Sequence, residues 1–130
     1  MSQRSPSHNI NKAVALLSVF DKDKRYDPEA YPFVMAALSF TSKKLRRKSH
    51  VTGGELLDGI REYALEEFGP MARAVFEHWG IRKTDDFGEI VFNMIGAGIL
   101  GKTDNDSKKD FINRFDFKEA FDKGCRYTIQ

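Results

Sequence analysis

The sequence predicts a mainly α-helical protein with a small β-hairpin, arranged as a winged-helix-like three-helix core that follows N-terminal helices. The first observation is that apolar residues recur at helical spacing in three runs within residues 50–100, separated by glycines and a proline. The second is that the spacing changes to alternation beyond Leu100. The third is the length of 130 residues, which suits about one domain with its own hydrophobic core.

The N-terminal part is predicted to contain a disordered tail, residues 1–8, and helices within residues 9–48. Pro32 leaves two alternatives for the second helix: it begins at Pro32 after a short turn, which we favour, or it is bent there. In the first helix, one apolar face is formed by Ile10, Ala13, Val14, Leu17 and Phe20. In the second, the shared face contains Val34, Ala37, Leu38, Thr41 and Leu45.

Local start and stop signals delimit the three core helices. Thr52 and Glu55 have the spacing of a capping box, in which each side chain accepts a hydrogen bond from the other residue's amide. Gly69 suits a left-handed helix end, and Gly80 ends the next helix. Thr84 is the predicted N-cap of the third helix. The buried face of that helix is predicted to contain Phe87, Ile90, Val91, Met94 and Ile95.

A two-stranded hairpin is predicted after the third helix. Residues 99–103 would form its first strand, and residues 111–117, which alternate in side-chain character, its second. The loop between them, residues 104–110, would be the wing. Asp116 and Glu119 repeat the capping-box spacing and predict a short last helix.

We therefore predict one globular domain, residues 9–124, with the winged-helix-like core at residues 50–122 and a C-terminal tail at residues 125–130. Hydrophobic residues make up 41% of the chain and charged residues 31%, which is typical of globular proteins. No apolar run approaches the ~20 residues of a membrane span, and the first residues lack a signal-peptide pattern. The single cysteine, Cys125, excludes an internal disulfide. We expect a soluble, cytoplasmic protein.

The strongest electrostatic feature is a basic cluster formed by Lys43, Lys44, Arg46, Arg47 and Lys48. The net charge of +2, from 21 basic and 19 acidic residues, is too small to indicate a nucleic-acid partner by itself. The cluster either contacts phosphates or an acidic partner, or it complements the helix dipole and faces water. Further cations in and near the wing are Lys102, Lys108, Lys109 and Arg114.

The third helix occupies the position of a recognition helix, yet Asp85, Asp86 and Glu89 lie near its N-terminus. A recognition helix brings such residues close to bases and phosphates, so these carboxylates would repel DNA. They either contact a basic partner or act as dipole partners on a solvated face.

The sequence shows no constellation for catalysis or cofactor binding. The spacing of His8, His50, His78 and Cys125 matches no metal-ligand pattern. Neither Asp-x-Asp pair has the glycine and glutamate of a calcium loop, and the glycine pairs suit turns and caps. We predict no catalytic residue, no cofactor and no metal. A cleft that joins His50 or His78 to a shielded acid would contradict that prediction.

Distinctive motifs of the central stretch are HVTGGELLDGIR at residues 50–61, WGIR at residues 79–82 and DFGEIVF at residues 86–92. With them the chain resembles an uncharacterised family of small bacterial proteins, found mainly in the planctomycete and verrucomicrobial lineages, over about residues 26–122. The resemblance implies a bacterial intracellular protein. It implies no activity, catalytic residue, cofactor or partner.

These observations predict a non-enzymatic binding module that docks on a protein or ribonucleoprotein partner. The acidic third helix suits a basic partner surface, and the basic cluster suits an acidic one. One alternative is binding of DNA or RNA through the basic helix end and the wing. A second alternative is a small enzyme of unknown class.

Overall fold

Helices dominate the fold in the computed structural model, which describes residues 1–3, 9–46 and 50–123. The mainly helical class with a small β element is therefore confirmed. A 3-10 turn, Gly69–Met71, precedes the fourth helix, another, Lys108–Phe111, follows the second strand, and a π-helical turn, Lys118–Lys123, comes last. The strands and α-helices are β1 (Ser2–Gln3), α1 (Asn9–Lys22), α2 (Ala30–Lys44), α3 (Gly53–Phe68), α4 (Ala72–His78), α5 (Thr84–Gly96) and β2 (Leu100–Gly101).

Several predicted helix ends are confirmed by their hydrogen bonds. The Thr52 hydroxyl accepts from the Glu55 amide at 3.2 Å, and the Glu55 carboxylate accepts from the Thr52 amide at 3.0 Å. Gly69 adopts φ 51°, where a side chain would strain the backbone. α2 begins at Ala30, two residues before the predicted start, because Pro32 is tolerated in a first turn whose amides have no intrahelical acceptor.

Aromatic rings hold the helices together. The Phe76 ring of α4 lies 5.2 Å from that of Phe87 and 5.4 Å from that of Phe33. α2 and α3 run antiparallel, since Phe33 lies beside Phe68 and Phe40 lies beside Tyr63. The last turns of α2 therefore lie beside the middle of α3, where Thr41 contacts Gly59 and Lys44 forms an ion pair with Glu62.

The two strands are not the predicted hairpin. β2 pairs antiparallel with β1, with Ser2 opposite Gly101 and Gln3 opposite Leu100. The Met1 side chain is 1% exposed. The expectation of a disordered tail is thus corrected for residues 1–3, where a buried apolar side chain and strand pairing fix the backbone. Residues 4–8 and the predicted tail at residues 125–130 lie outside the described residues.

The predicted second hairpin strand, residues 111–117, is absent from the described chain. Residues 108–111 form a 3-10 turn instead, and the Phe111 side chain is completely buried. Asn113 adopts φ 48°, which a strand cannot accommodate. The predicted wing, residues 104–110, is therefore not a loop between two paired strands. We refer to residues 108–114, which begin with the 3-10 turn, as the 108–114 turn.

The buried face of α5 was predicted well, but that of α1 was not. Phe87, Ile90, Val91 and Met94 are fully buried. In α1, the side chains of Val14 and Leu17 are 60% and 64% exposed, whereas Val19 is buried. Phe20, another residue of the predicted face, packs against the core with its ring 5.4 Å from that of Tyr31, so the predicted face is correct only in part.

Candidate interaction surface

The Asp86 carboxylate binds backbone amides just before α5 and stabilises the start of this helix. Its Oδ2 accepts hydrogen bonds from the amides of Arg82 and Lys83, at 2.8 and 3.2 Å, and its Oδ1 accepts one from the Tyr26 hydroxyl at 2.7 Å. Burial, together with the bond to Asp86, raises the pKa of Tyr26, so this phenol stays protonated. Asp86 therefore attaches the segment between α1 and α2 to α5.

Asp85 and Glu89 also contact groups of the chain itself. Asp85 accepts a hydrogen bond from the Asn113 amide at 3.0 Å. Glu89 forms ion pairs with Lys108 at 2.8 Å and with Arg25 at 3.3 Å. The hydrogen bond from Lys108 outweighs the effect of burial and, with Arg25, holds the pKa of Glu89 below its usual range. The three carboxylates predicted to meet a basic partner thus have intramolecular partners.

Thr84 fixes the 108–114 turn against α5. Its hydroxyl donates to the Phe111 carbonyl at 2.6 Å and accepts from the Arg114 amide at 3.0 Å. Thr84 is fully buried and is the first residue of α5, one position after the N-cap residue that the structure places at Lys83. The predicted N-cap at Thr84 is therefore wrong by one position, and the Thr84 hydroxyl binds a distant segment instead.

Hydrogen bonds between neighbouring residues also stabilise the 108–114 turn. The Ser107 hydroxyl accepts from the Lys109 amide at 3.2 Å, and the Asp110 carboxylate accepts from the Ser107 amide at 3.1 Å. Phe111 packs so closely against α3 and α5 that a Cβ on Gly53 or on Gly88 would be within about 3.1 Å of its ring or side chain. The backbone of the turn is therefore well anchored.

The outer side of the 108–114 turn carries exposed side chains. Ile112 is 52% exposed, and Lys109 and Arg114 are exposed as well. The Arg114 Nη2 lies 3.0 Å from the position that a Cβ on Gly54 would occupy, so this guanidinium covers the start of α3. Lys108, by contrast, is engaged by Glu89. An exposed aliphatic residue thus lies, in the sequence, between two exposed cationic residues.

The described part of the basic cluster lies at the end of α2. Lys43, Lys44 and Arg46 are exposed, and Lys44 forms an ion pair with Glu62 of α3. The described part of the cluster therefore lies beside the middle of α3, whereas Arg114 of the 108–114 turn covers the start of α3. Arg47 and Lys48 lie outside the described residues.

Lys102 is exposed next to β2, and its ammonium donates to the Thr103 carbonyl at 3.1 Å.

A polar network that the sequence did not reveal joins α1 to α5. Asp23, just after α1, accepts from Arg25 Nη2 at 2.7 Å and from Asn93 Nδ2 at 2.8 Å. The hydrogen bond from Arg25 is the largest influence and, against the effect of burial, holds the pKa of Asp23 far below its usual range. Asn93 also donates to the Tyr31 hydroxyl oxygen at 3.1 Å. No local spacing signals this contact, since the residues lie 62 to 70 positions apart.

His50 approaches a shielded acid, Asp106, in a second unpredicted cluster. The Met1 amino group donates to Asp106 Oδ2 at 2.9 Å, to the Val51 carbonyl at 2.9 Å and to His50 Nδ1 at 2.8 Å. Burial opposes ionisation of Asp106, but bonds from the Thr103 amide and the Met1 amino group lower its pKa overall. His50 Nε2 is 3.7 Å from Asp106 Oδ1, too far for a hydrogen bond. The Met1 amino group thus attaches the start of β1 to the Asp106 carboxylate and to the segment before α3.

The described residues contain no group of three or more metal-ligating side chains in a suitable arrangement. Within the same residues, no helix combines the length and hydropathy that crossing a bilayer requires. No family model matches the sequence, and neither a curated protein nor a solved structure gives a significant match. The resemblance to a bacterial family therefore stays a prediction.

Proposed function

We propose that this protein is a non-enzymatic binding module that docks on an acidic surface of a protein or ribonucleoprotein partner. The observation that carries the proposal is an asymmetry of charge. Asp85, Asp86 and Glu89 hold parts of the fold together, whereas the cations Lys109 and Arg114 of the 108–114 turn are exposed.

This asymmetry supports one of the two partner types that the sequence left open. A carboxylate that already accepts hydrogen bonds within the fold would have to lose them to bind a basic partner, and such bonds are worth about 1.5–3 kcal/mol each. An exposed ammonium or guanidinium gives up only contacts with water. Exposed cations also accelerate encounter with an acidic surface. An acidic partner is therefore favoured.

Charge reversal tests the proposal. The double variant Lys109→Glu, Arg114→Glu is compared with the control Lys24→Glu, Lys118→Glu, which reverses two exposed cations elsewhere. Both should unfold at nearly the wild-type temperature, because exposed charges contribute little to stability. Partners recovered from the native cell should be lost only with the first variant. Recovery of the same partners with that variant would rule out this surface.

The acidic side of α5 provides the converse experiment. The double variant Asp85→Asn, Glu89→Gln removes two negative charges and so weakens the contacts with Asn113, Lys108 and Arg25. We therefore expect lower thermal stability with unchanged partner recovery at a temperature where the variant stays folded. Loss of the partners from a folded variant would instead mean that the carboxylates form the contact.

Binding of DNA or RNA is a second candidate, favoured by the exposed cations of the basic cluster, Lys43 and Arg46, and of the 108–114 turn, Lys109 and Arg114. A fluorescence anisotropy titration with duplex DNA and with single-stranded RNA tests it. At about 50 mM salt, phosphate contacts are strong, so an absence of binding there would exclude this candidate.

A further inference from the structure

We propose that Ile112 is the apolar anchor of this docking surface, and that the surface recognises an acidic protein segment carrying an apolar side chain. The inference rests on the proposed function and names the chemistry of the partner. It starts from a contrast between neighbours: Phe111 is 0% exposed, whereas Ile112 is 52% exposed.

The backbone holds Ile112 in this outward position. The Phe111 carbonyl accepts from the Thr84 hydroxyl, the Asn113 amide donates to Asp85, and the Arg114 amide donates to Thr84. Asn113 adopts φ 48°, a left-handed conformation that asparagine tolerates better than most residues. Because the chain on both sides is fixed to α5, Ile112 cannot turn inward without breaking these bonds.

A fixed and exposed aliphatic side chain is well suited to binding. Since the turn is already ordered, little conformational entropy is lost when a partner covers it. An apolar anchor inserted in a pocket and surrounded by polar contacts is the usual arrangement of the residues that dominate a protein interface. Lys109 and Arg114, three residues before and two residues after Ile112, are exposed and available for such polar contacts.

The charge and the apolar side chain together select the class of partner. Two exposed cations favour carboxylates or phosphates, whereas an aliphatic side chain gains free energy only when it contacts an apolar group. Phosphates alone would leave Ile112 in water. An acidic segment of a protein that also presents an apolar side chain satisfies both requirements.

Two labelled synthetic peptides, one of glutamate and leucine and one of glutamate alone, test the inference by fluorescence anisotropy with the full chain. We expect the mixed peptide to bind about tenfold more tightly, since burying the exposed part of one aliphatic side chain accounts for that ratio. In Ile112→Ser this preference should disappear. In the control Met71→Ser, which changes a side chain that is 59% exposed elsewhere, the preference should remain.

The outcomes separate this inference from the proposed function. Equal binding of the two peptides to the wild-type protein, or an unchanged preference in Ile112→Ser, would overturn the role of Ile112. Tighter binding of a single-stranded DNA of equal charge than of the mixed peptide would also overturn it. The proposed function fails separately, if native partners are still recovered with Lys109→Glu, Arg114→Glu.

Discussion

α1 and α5 are both rich in apolar residues, but the structure uses them differently. In α5, the apolar stripe lies on one side and is buried, while Asp85, Asp86 and Glu89 occupy the rest of its first turns. In α1, apolar residues occur on two sides, and only the side with Val19 is buried. A helical period therefore identifies the buried face only where polar residues exclude the other faces.

The largest effect should come from truncating the α5 stripe. Phe87 is fully buried, and its ring lies 5.2 Å from that of Phe76. Because Phe87→Ala leaves a cavity in the aromatic core, we expect the free energy of unfolding to fall by about 3–5 kcal/mol. Urea denaturation followed by circular dichroism measures this change. A loss below about 1 kcal/mol would mean that α5 is not packed as described.

A smaller effect is expected at two glycines of α5, Gly88 and Gly96, which differ in the space available for a side chain. A Cβ on Gly88 would lie 2.8 Å from that of Phe111, whereas one on Gly96 would meet nothing within 4 Å. We expect Gly88→Ala to cost about 1–3 kcal/mol through overpacking against the 108–114 turn. Gly96→Ala should instead stabilise the protein by up to about 1 kcal/mol, because alanine favours the helix. The same denaturation curves test both, and equal shifts would contradict the close approach of Phe111.

The polar link between α1 and α5 should make stability depend on pH. The pKa of Asp23 is lowered in the folded protein, chiefly by Arg25, so the folded state binds fewer protons than the unfolded state between the two pKa values. The stabilisation is complete above the unfolded value of about 3.9 and is lost as the pH falls towards the folded value.

Asp23→Asn should therefore cost about 1 kcal/mol at neutral pH and show a shallower loss of stability on acidification. Unfolding curves at neutral pH and at several values below about pH 4 provide the comparison. Asp21→Asn is a suitable control, since Asp21 is an exposed aspartate at the end of the same helix. An acid dependence as steep as that of the wild-type protein would contradict the role of Asp23.

The elements predicted correctly from the sequence are those encoded by neighbouring residues. The capping box of Thr52 and Glu55, the helix end at Gly69 and the buried stripe of α5 each depend on positions within a few residues. The predicted hairpin failed because its pairing is decided at long range. β2 is paired with β1, and Thr84 binds the carbonyl of Phe111, so residues 111–117 have no strand partner.

The candidate surface was predictable only in part, for the same reason. The sequence identified the candidate cations and acids, but their roles depend on contacts between distant segments. Glu89 meets Arg25 across 64 positions and Asp85 meets Asn113 across 28, so no local pattern indicated that these carboxylates are engaged within the fold. The exposure of Ile112 likewise depends on the burial of Phe111 beside it.

The smallest effect is expected on the outer side of α1. Leu17 is 64% exposed, so Leu17→Ser removes little buried surface and should change the free energy of unfolding by about 0.5 kcal/mol or less. Val19→Ser, two positions away on the buried side, should cost about 1–3 kcal/mol, because it loses apolar burial and places a hydroxyl in the core. If Leu17→Ser were the more damaging of the two, the helix would face the core with the side that the sequence pattern favoured, and the contrast between α1 and α5 would disappear.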